Sequence, residues 1–104
     1  MYEYKASIFN VVDGDTIKVL VDLGFMIYVH KTLRLARINA PEVSTQEGIV
    51  SKQYLIDKLP IDTKIVFKSC SLDRYGRSIA EVTVIDKNLS DMIVADGHAI
   101  YQKY

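Results

Sequence analysis

Three short segments of the chain concentrate carboxylate and guanidinium side chains. They are Asp13-Gly14-Asp15-Thr16, Arg34-Leu35-Ala36-Arg37-Ile38-Asn39-Ala40-Pro41-Glu42, and Asp73-Arg74-Tyr75-Gly76-Arg77. Carboxylate and carbonyl oxygens suit a hard divalent cation, and a planar guanidinium pairs with two phosphate oxygens at once. A carboxylate close to a water molecule can also take its proton. Each segment alone is an ordinary turn or strand, so any chemistry depends on whether the fold brings the three together.

The elements that must position these segments begin with strands. Two runs rich in Val, Ile and Leu, residues 4–12 and 15–23, flank the dipeptide Asp13-Gly14. Asp-Gly between such runs predicts a hairpin, because glycine accepts a positive φ without steric cost. A further turn leads into a third run, residues 25–38. The first part of the chain is therefore predicted to form a three-stranded antiparallel meander.

A helix, two strands and a second helix are predicted to follow. Residues 45–59 change to a helical period, with an apolar stripe of Val50, Tyr54, Leu55 and Leu59 before Pro60. Residues 62–69 and 77–85 are predicted to be strands. Asn88 is predicted to cap the last helix and Gly97 to end it.

The predicted order, βββαββα, is that of a five-stranded OB-fold barrel, a mainly β fold with helices (α+β) that often binds nucleic acid. With 104 residues, of which 49% are hydrophobic, the whole chain (1–104) is expected to form one domain. Its 13 basic and 13 acidic residues argue against binding nucleic acid by bulk charge alone, but they leave room for a local basic cleft.

Other features of the sequence set further limits. Cys70 is the single cysteine, so no internal disulfide can form. No apolar stretch approaches the ~20 residues that span a bilayer, so no membrane partner is expected. The N-terminus lacks a basic start followed by an apolar run, which predicts a cytoplasmic location and leaves secretion from a longer precursor open.

In this order, the three segments resemble the active site of the staphylococcal nuclease (thermonuclease) family. The family's hallmarks are a D-G-D-T turn, a segment near R-L-x-x-I-D-x-P-E and a D-x-Y-G-R turn. The resemblance runs from about residue 8 to the end, and Ala95-Asp96-Gly97-His98-Ala99 is similar to the family's closing segment. It implies an SNase-like OB-fold barrel, here expected without the third, C-terminal helix of larger relatives.

The resemblance also implies a Ca²⁺-dependent endonuclease. Such an enzyme hydrolyses DNA and RNA with little sequence specificity and leaves 3′-phosphate ends. Its substrates would be held through phosphates and base stacking, with single-stranded or frayed nucleic acid preferred. No obligate protein partner is indicated.

The roles of individual residues follow from the same resemblance. The implied metal ligands are Asp15, Asn39 and the main-chain carbonyl of Ala40. The implied catalytic residues are Arg34 and Arg77, which would hold the phosphate, and Glu42, which would act as general base or orient the attacking water. The implied substrate-binding residues are Arg74, Tyr75, Tyr101 and Tyr104. Most members of the family have Asp in place of Asn39, so weaker Ca²⁺ binding is expected here.

A non-catalytic OB-fold module that binds nucleic acid or protein is the alternative interpretation, since degenerate members of the family have that role. Taken singly, Asp15 could be a turn residue and Glu42 a surface residue. Retention of both, together with Arg34 and Arg77, favours the enzyme, and Asn39 keeps the alternative open.

Other polar residues receive no firm site role. Asp13 is expected to shape the turn beside Asp15. Arg37 lies on the face of the predicted third strand opposite to Arg34, and whether it contacts the nucleic-acid backbone is left open. His30 and His98 lie outside the three hallmark segments and do not form a zinc-ligand pattern.

Overall fold

The structure, a computed structural model, describes residues 2–72 and 74–102. In chain order its elements are β1 (Glu3–Asp13), β2 (Thr16–Asp22), β3 (Tyr28–Leu35), β4 (Ile38–Asn39), α1 (Gln46–Lys58), β5 (Lys64–Leu72), β6 (Ser78–Val84), β7 (Lys87–Asn88), α2 (Leu89–Ala95) and β8 (Ile100–Tyr101). The predicted order of five main strands and two helices is confirmed, and three two-residue strands are added to it.

The five main strands close into a barrel. Neighbours in the order β3-β2-β1-β5-β6 are antiparallel, and a parallel pairing of β3 with β6 closes the circle. This pairing places Leu33 opposite Ser78, Arg34 opposite Ile79 and Leu35 opposite Ala80. The OB-fold prediction is therefore confirmed, and the closing pairing includes Arg34.

The core lies inside the barrel and under the two helices. Its largest fully buried side chains are Ile8, Ile17, Leu33, Leu35, Ile38, Leu55, Leu89 and Ile93. Burying each Leu or Ile side chain contributes about 1.5–3 kcal/mol, so α1 and α2 are held mainly through their apolar contacts. The predicted stripe of α1 was wrong at Val50, which is 48% exposed, whereas Gly48 and Ser51 are buried beside Leu55.

Both helices begin at side-chain caps. Thr45 Oγ1 accepts the N–H of Gly48 at 3.0 Å, and Asn88 Oδ1 accepts the N–H of Asp91 at 3.1 Å, as predicted for Asn88. Gly97, with φ of 83°, follows α2 in the left-handed conformation expected of a helix end. Within the described ranges, no helix is both long and apolar enough to cross a membrane.

The third predicted strand, residues 25–38, is shorter in the structure. Phe25 and Met26 have φ of 54° and 61°, so they form the hairpin turn, and β3 begins only at Tyr28. Arg37, with φ of 68°, breaks the strand again after Leu35. Left-handed backbone is incompatible with a strand ladder, so a turn separates β3 from β4.

Candidate active site

The hairpin turn between β1 and β2 packs against the loop after β4 and against α1. A Cβ atom on Gly14 would lie 2.2 Å from Ser51 Oγ and 2.8 Å from Ala40 Cβ, closer than real Cβ contacts. The turn therefore needs glycine for this close approach and not for a positive φ, which Gly14 does not adopt. The packing brings Asp15 beside Asn39 and Ala40, which are distant in sequence.

Direct contacts join Asp15, Arg34, Asn39 and Ala40 at this end of the barrel. Asp15 Oδ2 accepts the Ala40 N–H at 2.9 Å and lies 3.3 Å from Arg34 Nη2. Arg34 Nη2 also donates to Asn39 Oδ1 at 3.3 Å, and its Nη1 donates to the Leu35 carbonyl at 2.8 Å. Asp15 and Arg34 are only 7% and 8% exposed. The sequence-predicted metal ligands and one predicted arginine therefore meet in one cluster, in which Asp15, Arg34 and Ala40 are buried and Asn39 is exposed.

Burial makes the charged form of Asp15 costly. Burial first, and then a hydrogen bond with the Asp13 side chain, raises the pKa of Asp15 to about 6, while the Ala40 N–H and Arg34 act in the opposite direction. A positive charge close to this carboxyl group therefore stabilises its ionised form. Perturbed carboxyl groups of this kind are typical of functional sites.

The oxygen atoms in the cluster fit a hard cation such as Ca²⁺. Asp15 supplies a carboxylate and Asn39 an amide oxygen, both within 3.3 Å of the same Arg34 nitrogen, and Ala40 supplies main-chain groups beside them. Across residues 2–72 and 74–102, no group of three or more His, Cys, Asp and Glu side chains could hold a metal ion. A cation here would therefore depend on amide, carbonyl and water oxygens in addition to carboxylates.

Glu42 follows this cluster in the loop that leads to α1. It is exposed and lies two residues after Ala40, so the two Cα atoms are at most about 7 Å apart. The Glu42 carbonyl accepts the Thr45 N–H at 2.9 Å and the Thr45 hydroxyl at 2.7 Å. A Cβ atom on Gly48 would lie 1.7 Å from this carbonyl oxygen. The first turn of α1 thus fixes the backbone that carries Glu42.

Arg34 lies on β3, and Arg77 directly precedes the adjacent strand β6. Arg77 is half-buried and immediately precedes Ser78, which is opposite Leu33, while Arg34 is opposite Ile79. Extending the strand spacing by one residue from Ser78 puts the backbones of Arg34 and Arg77 about 8 Å apart. The closing pairing of the barrel therefore brings the two sequence-predicted arginines to one end.

The turn before Arg77 carries an exposed aromatic ring between two cations. The guanidinium carbons of Arg74 and Arg77 lie 5.3 and 5.4 Å from the centre of the Tyr75 ring. Tyr75 is 70% exposed, and cation–π contacts at these distances help to order the turn. Arg74 and Tyr75, both sequence-predicted substrate contacts, are thus placed next to Arg77 on the surface. Asp73 lies outside the described residues.

Tyr101 contacts a different group of residues. It lies on β8 opposite Ile38, and its hydroxyl donates to Asp91 Oδ1 at 2.8 Å. The Arg37 guanidinium carbon is 5.9 Å from its ring centre. The structure therefore places Tyr101 beside the Asn39 strand but not within the partly buried cluster. Tyr104, the other predicted stacking residue, lies outside the described residues.

Arg37 is a structural anchor that the sequence does not reveal. Its guanidinium binds both carboxylate oxygens of Glu81, Asp91 Oδ1 at 3.0 Å and Asn88 Oδ1 at 3.2 Å. Ser90 reinforces the same turn, since its hydroxyl donates to the Ala36 carbonyl at 2.7 Å. These contacts fix the turn after β3 on β6 and α2, and so set the course of the chain toward Asn39 and Ala40.

Gly48 also contributes to the site through its position alone. Glycine in a helix interior destabilises the helix by about 1 kcal/mol relative to alanine. A glycine in the first turns of a predicted helix was therefore the sequence signal that could have indicated a special role for Gly48. Arg37 gave no such signal, because its partners Glu81 and Asp91 are more than forty residues away in sequence.

Comparisons with known proteins find a family model and a curated relative that this chain matches. The family model described as staphylococcal nuclease homologue matches residues 32–104 of the chain, which include Arg34, Asn39, Glu42 and Arg77 and exclude Asp15. Micrococcal nuclease from Shigella flexneri is 32% identical over 80 residues, which cover 77% of this chain and 42% of that protein. The chain thus spans less than half the length of this curated relative.

Proposed function

The chain belongs to the staphylococcal nuclease homologue family, and from this premise we propose that it is a Ca²⁺-dependent endonuclease that hydrolyses DNA and RNA with little sequence specificity. The observation that carries the proposal is the partly buried cluster in which Arg34 contacts both Asp15 and Asn39. That cluster joins an oxygen-rich site for a hard cation to a guanidinium able to bind phosphate.

Arg34 and Arg77 hold the scissile phosphate in this proposal. Arg34 on β3 and Arg77 immediately before the adjacent strand β6 allow two guanidinium groups to approach one phosphoryl group from the same end of the barrel. Charge builds on the equatorial oxygens in the transition state, and guanidinium groups stabilise it there. Both arginines are therefore expected to act mainly on the rate of cleavage.

Glu42 takes the proton from the attacking water, or orients that water. Its backbone is fixed close to Ala40 by Thr45 and by the close approach of Gly48, and its exposure keeps the side chain in contact with solvent water. In-line attack at phosphorus with departure of the 5′-oxygen would leave a 3′-phosphate end.

Asp15, Asn39 and the main-chain carbonyl of Ala40 are the residues that would hold Ca²⁺. Bound there, the cation would neutralise charge on the phosphate and polarise a phosphoryl oxygen. The exposed Tyr75 and the cations beside it would contact flanking nucleotides, which favours single-stranded or frayed substrates whose bases are free to stack.

A non-catalytic module that binds nucleic acid is the second candidate. The observation in its favour is that Asp15 is already paired with Arg34 and that Asn39, a neutral residue, stands beside them. Such a site carries less negative charge than two carboxylates would, so its affinity for a cation is expected to be lower.

Cleavage of heat-denatured DNA tests the proposal. We expect degradation that requires added Ca²⁺, stops with a chelator and is lost in Glu42→Gln. Glu47→Gln, which changes an exposed glutamate in the first turn of α1, is the matched control and should cleave normally. Retarded migration of DNA without cleavage by the unmodified protein would instead support the binding module.

A further inference from the structure

The outer surface of the barrel carries a second feature, separate from the partly buried cluster. A cavity of about 320 Å³ opens across β1, β2 and β3 and is lined by Phe9, Lys18, His30, Lys31 and Thr32. None of these residues belongs to the hydrophobic core, and the proposed cleavage chemistry uses none of them. The residue types in the cavity, two lysines and two aromatic rings, are those of surfaces that bind single-stranded nucleic acid.

Strand register builds this surface. Lys18 on β2 is opposite Thr32 on β3, and Leu20 is opposite His30, so these side chains share the outer face of the ladder. The residues that alternate with them on β2, Ile17 and Val19, are fully buried inside the barrel.

Phe9 reaches the same face through an irregularity in β1. The register of β1 against β2 shifts between Ile8 and Asn10, and Phe9 lies at this bulge. Its ring centre is 4.8 Å from that of His30, with an angle of 69° between the planes. Phe9 is nevertheless 51% exposed. A large apolar ring that is held in place by a neighbour and open to solvent is suited to stacking on a base.

The charged side chains that line the cavity are positive. Lys18 and Lys31 are both exposed and line the cavity; Lys18 shares the outer face with His30 and Thr32, whereas Lys31, opposite Val19, comes from the alternate face of β3. Among the described residues, none that lines the cavity is acidic. The chain as a whole has 13 basic and 13 acidic residues, so this is a local concentration of positive charge on a neutral protein. Local fields of this kind attract phosphate groups even when the net charge is zero.

The outer face leads directly to the candidate active site. Arg34, Thr32 and His30 are alternate residues of β3 and so lie on the same face, with Arg34 opposite Thr16 and Thr32 opposite Lys18. From Arg34 to His30, β3 covers four residues, or about 13 Å. A few nucleotides of single-stranded nucleic acid span this distance. A single-stranded nucleic acid bound at Arg34 can therefore continue along this face of the sheet.

We propose that Phe9, Lys18, His30 and Lys31 form a binding subsite for single-stranded nucleic acid that continues from the candidate active site. The two lysines pair with phosphates, and a base stacks on Phe9, whose ring is supported by His30. That one nucleic-acid strand runs from the candidate active site to the subsite rests on the proposed function. Binding to the subsite itself needs neither cleavage nor Ca²⁺.

Binding without cleavage tests the subsite. The affinity of the full chain for a fluorescein-labelled twelve-nucleotide oligothymidylate is measured by fluorescence anisotropy in EDTA at several salt concentrations. In Lys18→Gln/Lys31→Gln we expect weaker binding and a decrease of about 1.4 in the steepness of the salt dependence, because two phosphate contacts on a single strand are lost. The matched control, Lys68→Gln/Lys87→Gln, removes the same charge from exposed lysines elsewhere. Equal weakening in both double variants would overturn the proposal.

Stacking is tested separately at Phe9. Phe9→Ala is expected to weaken oligonucleotide binding about tenfold, whereas Phe9→Tyr, which keeps the ring, should bind normally. Thermal unfolding shows whether each variant keeps its fold. Normal binding by Phe9→Ala would overturn the stacking role. Polyglutamate at the same charge concentration could displace all of the oligonucleotide while Phe9→Ala leaves oligonucleotide binding unchanged. That result would identify a general anion site and would also overturn the stacking role of Phe9.

The same variants separate this inference from the proposed function. If the unmodified protein shows the expected binding pattern in EDTA but cleaves nothing with Ca²⁺, the subsite stands and the nuclease proposal fails. If it cleaves, and Lys18→Gln/Lys31→Gln keeps the same KM and affinity for the oligonucleotide, the nuclease proposal stands and the subsite fails.

Discussion

Arg34 Nη2 lies 3.3 Å from Asp15 Oδ2 and 3.3 Å from Asn39 Oδ1, so one guanidinium nitrogen contacts both side-chain oxygens that would bind a cation. Arg34 therefore already supplies the positive charge that the buried Asp15 carboxylate requires. A cation at this site competes with Arg34 for the same oxygens, which links cation binding to the group that would hold the phosphate.

Replacing Arg34 by Gln is therefore expected to move two quantities in opposite directions. Calcium affinity, measured by isothermal titration calorimetry, should increase by roughly tenfold because a nearby positive charge is removed. Cleavage of denatured DNA should fall by about a thousandfold or more because a phosphate clamp is lost. Lys68→Gln, which removes a distant exposed charge, should change neither quantity. Calcium binding that weakens in Arg34→Gln would contradict this competition.

Asn39 provides a second test of the cation site. Asn39→Asp adds a carboxylate where Arg34 already donates a hydrogen bond, so Ca²⁺ should bind about tenfold more tightly. The control is Asn10→Asp on β1, which adds the same charge to an exposed position. The same calorimetric titration compares the two variants. If Asn39→Asp and Asn10→Asp bind Ca²⁺ alike, Asn39 is not a ligand.

Local signals in the sequence predict the frame of the molecule. Asp13-Gly14 predicts the first hairpin, Asn88 the cap of α2 and Gly97 its end, and all three are confirmed. Each of these signals acts through neighbouring backbone groups, so a short stretch of sequence contains all the interactions that determine the turn or the helix end.

Contacts between distant segments could not be read in the same way. The parallel pairing of Leu33 with Ser78 closes the barrel and brings Arg77 toward Arg34, yet neither strand sequence specifies its partner. Arg37 alternates as a strand residue in sequence, but its φ of 68° and its contacts with Glu81 make it part of a turn. Such positions are set by tertiary packing, which overrides local propensity.

Gly48 illustrates how the helix start positions the candidate base. Alanine normally stabilises a helix interior by about 1 kcal/mol relative to glycine. In Gly48→Ala, however, the new Cβ atom would lie 1.7 Å from the Glu42 carbonyl oxygen, so the loop must move. We expect a net loss of about 1–3 kcal/mol in the free energy of unfolding, measured with urea, and slower cleavage by the folded protein.

The control for this prediction is Gln53→Ala, which lies on the exposed side of the same helix. It changes helix propensity without approaching Glu42 and should leave cleavage unchanged. A Gly48→Ala variant that is more stable than the unmodified protein and cleaves at the same rate would show that the close approach does not position Glu42.

The contact between Arg37 and Glu81 predicts how stability depends on pH. Hydrogen bonds from Arg37, and then one from Asn88, lower the pKa of Glu81 below its ordinary value of 4.5, although partial burial acts against them. Because the pKa is lower in the folded state, the contribution of Glu81 to stability is complete above about pH 4.5 and is lost as the pH falls through the folded-state pKa.

Glu81→Gln should therefore be less stable than the unmodified protein near pH 7, by up to about 1 kcal/mol because the ion pair is partly exposed to solvent. The difference in the free energy of unfolding should shrink as the pH falls below 4.5 and disappear once Glu81 is protonated in the folded protein. Urea unfolding at a series of pH values measures it, with Glu3→Gln on β1 as the matched control for an exposed glutamate. A difference that stays constant down to pH 2.5 would mean that the charge of Glu81 does not stabilise the turn at Arg37.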